Sequence, residues 1–310
     1  MKSLSRFLIG SHVGMKGKDQ FLGSVKQAYD YGENSFMVFT GTPYSSKRTP
    51  LSKLHIPEAK AFMKDHQMEP VVVHAPYIIN LANTKRPRTF GFGVQMLRTE
   101  VKRSEALGAK EVVWHPGAHV GAGAEKGIKS VIKGLNDVID PHQTCQIAIE
   151  TMAGKGTEVG RNFEQIAEMI SGVQNNDKLA VCFDTCHTSD AGYHIKDDFD
   201  GVLNKFDHVI GLDRLKVVHL NDSKNPCGAH KDRHQDIGMG HIGFKALNYV
   251  AHHPQLANVP KILETPSIKD INGKSVSPHP YEIKMLKKQK FVPNYWDAVK
   301  KHIPLDQFDN

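Results

Sequence analysis

The chain has 310 residues, 39% of them hydrophobic, and 40 Lys and Arg against 33 Asp and Glu give it a formal net charge of +7. That length suits two average domains or one large α/β barrel, the apolar content excludes wholesale disorder, and the basic balance favours acidic partners such as nucleic acid. No stretch approaches the ~20 apolar residues of a membrane span, and the run Phe7-Leu8-Ile9 is too short for a signal-peptide core, so a cytoplasmic protein without a membrane partner is expected.

Strands and helices alternate along the sequence. Strand-like runs, short and apolar throughout, are expected at 6–11, 35–40, 70–75, 111–116, 146–151, 179–184, 215–220 and 260–265. Continuous apolar runs of this kind fit parallel strands buried on both faces. Helical patterns fill the gaps at 18–31, 56–66, 88–107, 124–138, 162–172, 198–206, 243–253 and 280–290. Pro57 sits near the start of the second helix, and Gly108 stops the third. Eight strands alternating with eight helices predict an α/β fold, a (β/α)₈ TIM barrel forming one domain over 1–310, with 266–310 as a C-terminal helix and tail. An open doubly wound sheet is the runner-up.

Six of the runs end on or beside a metal-ligating residue: His74, His115, Glu150, Asp184 with His187 one turn on, His219 and Glu264. These recur 34 to 45 residues apart, the longest interval stretched by a loop that carries Asp232 and His234. Donors repeated at the same end of successive strands predict a metal site at the C-terminal face of the barrel. Five imidazoles and four carboxylates without thiolate suit Zn²⁺ or Mn²⁺, and nine donors exceed what one tetrahedral ion can use. Asp232 and His234, two apart in an extended loop, point the same way and can share an ion. Cys145, Cys182, Cys186 and Cys227 form no C-x-x-C pair and read as reduced thiols. Outside the site, His252-His253 reads as a solvated helix end, and His66, His142 and His230 as surface or loop residues. Gly154-Lys155-Gly156 lacks the spacing of a phosphate loop.

The strings VHAPYIIN, WHPGAH, IETMAGKGTEVG, CFDTCH, HLNDS, KDRH and LET, together with IGSHVG at 9–14, resemble the endonuclease IV family, the metal-dependent apurinic/apyrimidinic (AP) endonucleases of base-excision repair. The resemblance runs from residue 9 to about Glu264. It implies a barrel with three Zn²⁺ per chain, Mn²⁺ being an acceptable substitute. His74, His115 and Glu150 would hold the first ion. Glu150 would bridge to a second, held also by Asp184, His219 and Glu264, and His187, Asp232 and His234 would hold the third. Glu150 and Glu264 are the catalytic candidates, orienting a metal-activated hydroxide. The implied substrate is double-stranded DNA with abasic sites or blocked 3′ ends, cut to leave a 3′-hydroxyl and a 5′-deoxyribose phosphate. Tyr77 and Ile78 would enter the DNA stack at the lesion, while His12, Asn80 and Asn221 are candidates for phosphate contacts. Arg48 in the loop 41–49 is a DNA-contact candidate, and Lys85, Arg86 and Arg88 form a basic cluster. A monomer is expected, because the substrate needs one open barrel mouth. The rivals are a two-metal sugar isomerase, which has no need for Asp232, His234 and His187, and a structural zinc barrel, whose ligand shells would be saturated.

Overall fold

The computed structural model describes residues 6–15 and 17–308, so positions 1–5, 16, 309 and 310 of the expected domain lie outside the described residues. Eight parallel strands form its centre: β1 (Ile9–Ser11), β2 (Met37–Phe39), β3 (Val72–His74), β4 (Glu111–Trp114), β5 (Gln146–Glu150), β6 (Leu179–Asp184), β7 (Leu215–His219) and β8 (Lys261–Leu263). They hydrogen-bond in the order β1–β8–β7–β6–β5–β4–β3–β2. A parallel bridge between His12 and Met37, with the Val13 N–H on the Met37 carbonyl at 2.9 Å, brings the two ends of that order together. The result is the (β/α)₈ barrel.

Helices follow the strands: α1 (Gln20–Asp30), α2 (Ile56–Asp65), α3 (Pro87–Leu107), α4 (Ala124–Val138), α5 (Phe163–Ser171), α6 (Thr185–Asp190), α7 (Phe199–Val209), α8 (Phe244–Ala251), α9 (His279–Lys288) and α10 (Tyr295–Lys300). Local chemistry explains their ends. α3 starts with Pro87, whose missing N–H costs nothing in the first turn, and stops at Gly108 in the left-handed region. Asn162 caps α5 by accepting from the Gln165 N–H at 2.9 Å.

Strand interiors obey a period of two. Met37, Val72, Val113, Ala148, Ala180, Cys182, Val217 and Ile262 form a small buried cluster inside the cylinder. Their chain neighbours Val73, Trp114, Ile149, Val181, Val218 and Leu263 join the larger cluster beneath the helices. Two residues beyond an interior side chain, the next one again points inward. Val72 therefore leads to His74, Val113 to His115, Ala148 to Glu150, Cys182 to Asp184, Val217 to His219 and Ile262 to Glu264. The same pleat that plugs the barrel aims these six side chains at its mouth.

Several expectations need correction. β6 has the bounds expected of it, while the other strands are shorter than the runs that announced them by one to three residues. The helix expected at 198–206 continues to Val209, with no breaker before Gly211. α6 and α10, six residues each, were too short and too polar to show a periodic stripe. Two small antiparallel ladders, Asp222–Ser223 with His234–Gln235 and Ile268–Lys269 with Ser275–Val276, were also unforeseen. His252-His253 is no solvated end. His253 is buried with Nε2 3.1 Å from Asp200, while His252 stacks on Phe7 and donates to the Leu286 carbonyl, since this turn faces α7 and α9 rather than water. The tail packs on itself, with Tyr281, Met285, Tyr295, Val299 and Phe308 in one buried cluster. Cys145, Cys182 and Cys186 are buried free thiols and Cys227 an exposed one. Among the described residues no helix is long and apolar enough to cross a membrane.

Candidate metal centre

The nine donors expected from the sequence converge at the C-terminal mouth of the barrel. Glu150, fully buried at the end of β5, is their hub. Its Oε2 lies 3.1 Å from His74 Nε2 and 3.0 Å from His115 Nε2. Its Oε1 lies 3.0 Å from His219 Nδ1. His219 Nδ1 in turn faces Glu264 Oε2 at 3.0 Å and Asp184 Oδ2 at 3.9 Å. A third group closes the row, with His187 Nε2 3.0 Å and His234 Nε2 3.8 Å from Asp232 Oδ1. His234 Nε2 is also 3.6 Å from Asp184 Oδ2, so the groups are contiguous.

Local structure fixes the imidazoles. Asp184 ends β6 and caps α6, accepting from the His187 N–H at 2.6 Å, which sets His187 on the first turn facing the same opening. Three rings have Nδ1 on a backbone carbonyl: His74 on Ala75 at 2.7 Å, His187 on Thr151 at 3.0 Å and His234 on Glu264 at 3.3 Å. A carbonyl can only accept, so Nδ1 carries the hydrogen and Nε2 is the atom turned to the site. That is how proteins orient metal-binding histidines. Asp232 adopts a left-handed backbone (φ 53°), held by the Asp190 carboxylate, which accepts from its N–H at 2.9 Å.

Four carboxylates in one buried place demand positive charge. Burial opposes ionisation of Glu150, yet the imidazoles of His219 and His115 hold it well below the usual carboxylate range. Burial likewise disfavours charge on Glu264 and Asp232, and His219 and His187 respectively pull each of them down. Burial also opposes protonation of His187 and His219. Neighbouring groups (Asp184 and Asp232 for the first; Cys182, Glu264 and Glu150 for the second) nevertheless raise both well above the ordinary imidazole value. Protons or metal ions can meet that demand. The geometry fits ions. Donors ~2.0–2.1 Å from a tetrahedral Zn²⁺ stand roughly 3.3 Å apart, and the separations above are 3.0–3.9 Å. The buried His234 Nε2 has no hydrogen-bond partner among the described residues, as a ligand atom would not.

The DNA-contact candidates are less uniform. Tyr77 lies over the first group, its ring centroid 5.4 Å from His74 and 5.1 Å from His115, with 39% of the residue exposed. Ile78 is half-buried beside it. Tyr44, in the loop 41–49, is 76% exposed and 5.7 Å from Tyr77, extending the aromatic surface. His12 packs edge-on against Phe39 and borders a groove of about 640 Å³ with Lys47 and Lys53. Asn80 spends its amide on a clamp, donating to the Ala118 carbonyl and accepting from its N–H, both at 3.1 Å.

Two expectations are corrected. Arg48 is turned inward: its side chain is 8% exposed, and Nε donates to the buried Glu100 at 2.6 Å. The guanidinium is thus engaged within the protein, on Glu100 and the Ser45 and Lys47 carbonyls, at the edge of the groove that His12 borders. Asn221 is fully buried, donating to Asp184 Oδ2 at 2.7 Å and accepting from the Glu264 N–H at 2.8 Å. It orients two donors rather than touching phosphate. Asp190 was missed, because only its place one turn after His187 marks it. Lys85, Arg86 and Arg88 are exposed.

A family model described as a xylose isomerase-like TIM barrel matches residues 25–289. The chain is 62% identical over 287 residues to "Probable endonuclease 4" of Latilactobacillus sakei subsp. sakei, covering 93% of this chain and 96% of that protein. Among solved structures it is similar to endonuclease IV from Thermus thermophilus, with a TM-score of 0.76, 29% identity, and coverage of 91% of this chain and 98% of that one. A D-tagatose 3-epimerase-like protein, at a TM-score of 0.65 and 17% identity over 95% of this chain and 100% of that one, shares the fold alone.

Proposed function

Because this chain belongs to the endonuclease IV family, we propose that it hydrolyses the phosphodiester bond 5′ to abasic sites in double-stranded DNA. The products are a 3′-hydroxyl and a 5′-deoxyribose phosphate, and blocked 3′ ends are trimmed at the same site. At the coarser level, family membership makes it a DNA-repair endonuclease. The observation that carries the finer reading is the division of Glu150, with His74 and His115 on one oxygen and His219 on the other. A carboxylate shared in this way suits a bridge between two ions.

His74, His115 and Glu150 would hold one Zn²⁺; Glu150, Asp184, His219 and Glu264 a second; His187, Asp232 and His234 a third. Mn²⁺ would be an acceptable substitute. When bound, such ions supply Lewis acidity toward phosphate oxygens and lower the pKa of water to roughly 7. Three divalent charges against four carboxylates, +6 and −4, leave about +2, which suits an incoming phosphodiester with its attacking hydroxide. Glu150 and Glu264 face each other across His219 Nδ1 and orient the attacking water. Tyr77 and Ile78 rise beside this opening and fill the stack vacated by the displaced nucleotide, a displacement that an abasic site makes cheaper. A single open mouth serves one duplex, so a monomer suffices, and the chemistry suits a cytoplasmic repair enzyme.

The third donor group separates this reading from a two-metal sugar isomerase on the same fold. The test is incubation with zinc and a duplex carrying one tetrahydrofuran abasic analogue. Incision on the 5′ side is expected, and an intact strand would defeat the proposal.

A further inference from the structure

The tail beyond Pro266 carries no motif, yet one buried carboxyl group in it reaches both loops that bear late donors of the site. Glu282 of α9 has no solvent exposure. Its Oε1 accepts from the Ile237 N–H at 2.8 Å and the Tyr295 hydroxyl at 3.2 Å, and its Oε2 accepts from the Thr265 hydroxyl at 2.5 Å. Thr265 is the residue after Glu264, and Ile237 is three residues after His234. These loops also touch directly, where His234 Nδ1–H meets the Glu264 carbonyl at 3.3 Å.

The His234 loop has other anchors: its small ladder pairs His234 with Ser223 and Gln235 with Asp222, and further ties lie to either side. Upstream, Asp190 accepts from the N–H groups of Lys231 and Asp232. Downstream, Asp222 gathers the N–H groups of Gly238, Gly240, Ile242 and Gly243, past the stretch that needs fixing. Glu282 takes the Ile237 N–H between them. An acid buried beside the apolar tail cluster of Tyr281, Met285 and Tyr295 is costly unless its oxygens are satisfied. Here one N–H and two hydroxyls satisfy both oxygens, and two of these partners belong to the donor-bearing loops.

We propose that Glu282 is a positioning residue of the metal centre: α9 uses this one carboxyl group to tie the His234 loop to the end of β8, fixing the separation of His234 and Glu264. The inference rests on the reading of those two residues as metal ligands. It gives the C-terminal helices a role in the site without contact with substrate.

The test compares four variants of the full chain by zinc content, zinc loss to a chelator, Tm and incision kinetics. Glu282→Ala removes both loop ties. It is expected to release zinc ~10–100-fold more readily, the usual cost of losing a partner that orients a ligand. Its kcat should fall at limiting zinc and recover in excess zinc, with KM little changed. Glu282→Gln can still accept from Ile237 and donate to the Thr265 oxygen, and should behave like wild type. Tyr295→Phe loses the third partner of the same carboxyl group but neither loop tie, and should lower Tm without releasing zinc. Wild-type chelator resistance in Glu282→Ala would overturn the proposal. If that variant does not fold, Thr265→Val reads the Oε2 tie alone, and unchanged zinc retention there would overturn it equally. A wild-type protein that holds no more than one ion would instead overturn the three-ion reading, which keeps the two failures apart.

Discussion

Replacing Asn221 by Ala should loosen the second ion more than it disturbs the barrel. The side chain is fully buried and makes two bonds, to Asp184 Oδ2 at 2.7 Å and from the Glu264 N–H at 2.8 Å. A hydrogen bond to a charged acceptor contributes ~1.5–3 kcal/mol, and a buried N–H left without a partner costs ~1–3 kcal/mol. Together that is about 2.5–6 kcal/mol, delivered to two side chains assigned to one ion. Losses of this kind typically weaken metal binding ~10–100-fold, or roughly 1.4–2.7 kcal/mol, so about half should appear in zinc affinity and the rest in stability. The assay is zinc loss to a graded chelator, read by elemental analysis, beside incision at limiting and excess zinc. Excess zinc should restore most of the rate. Asn221→Asp should be worse, because a second carboxylate at the same distance from Asp184 meets repulsion on the order of 6 kcal/mol at an effective dielectric of ~20. An Asn221→Ala protein with unaltered zinc retention and Tm would refute the reasoning.

Other consequences can be checked in the same preparations. Tyr77→Ala should raise KM for the abasic duplex roughly 5- to 150-fold, the worth of ~1–3 kcal/mol of stacking, with zinc content intact; an unchanged KM would remove Tyr77 from the DNA interface. Arg48→Ala takes the ion-pair partner from the buried Glu100, which keeps only the Thr40 hydroxyl and the charge of Arg103, so a loss of up to ~3–5 kcal/mol in stability is expected with little change in KM. A raised KM at constant Tm would return Arg48 to the DNA surface. Chelation should matter more as pH rises. Without metal, the raised values of His187 and His219 lend stability that is complete below about pH 6.5 and lost as pH climbs through those values. Metal binding needs neutral imidazole and escapes that loss. The Tm gap between loaded and chelated protein should therefore widen from about pH 6 to about pH 9, and a gap independent of pH would contradict the sign.

The donors were legible because two regularities coincide in them. Six of the eight strands announce themselves as apolar runs whose next inward position carries an imidazole or carboxylate in place of another Val or Ile. His187, Asp232 and His234 were legible only through short local strings, since α6 and the small ladder that place them leave no periodic trace. What escaped depends on partners far away in sequence. Arg48 reads as a loop cation until Glu100, 52 residues on, takes its guanidinium. Asn221 reads as a polar strand end until Asp184 and Glu264 close over it. His253 reads as solvated until Asp200 meets it. Glu282 had no signal at all, because a helix glutamate is ordinarily exposed and only the fold buries this one against Thr265 and Ile237.

The most direct test of the metal centre is anomalous diffraction at the zinc edge from crystals of zinc-replete protein. Three peaks are expected at the barrel mouth: one within reach of His74 and His115, one beside His219 and Glu264, and one between His187 and His234, with Glu150 spanning the first two. A single peak, or peaks away from these side chains, would contradict a three-ion phosphodiesterase site.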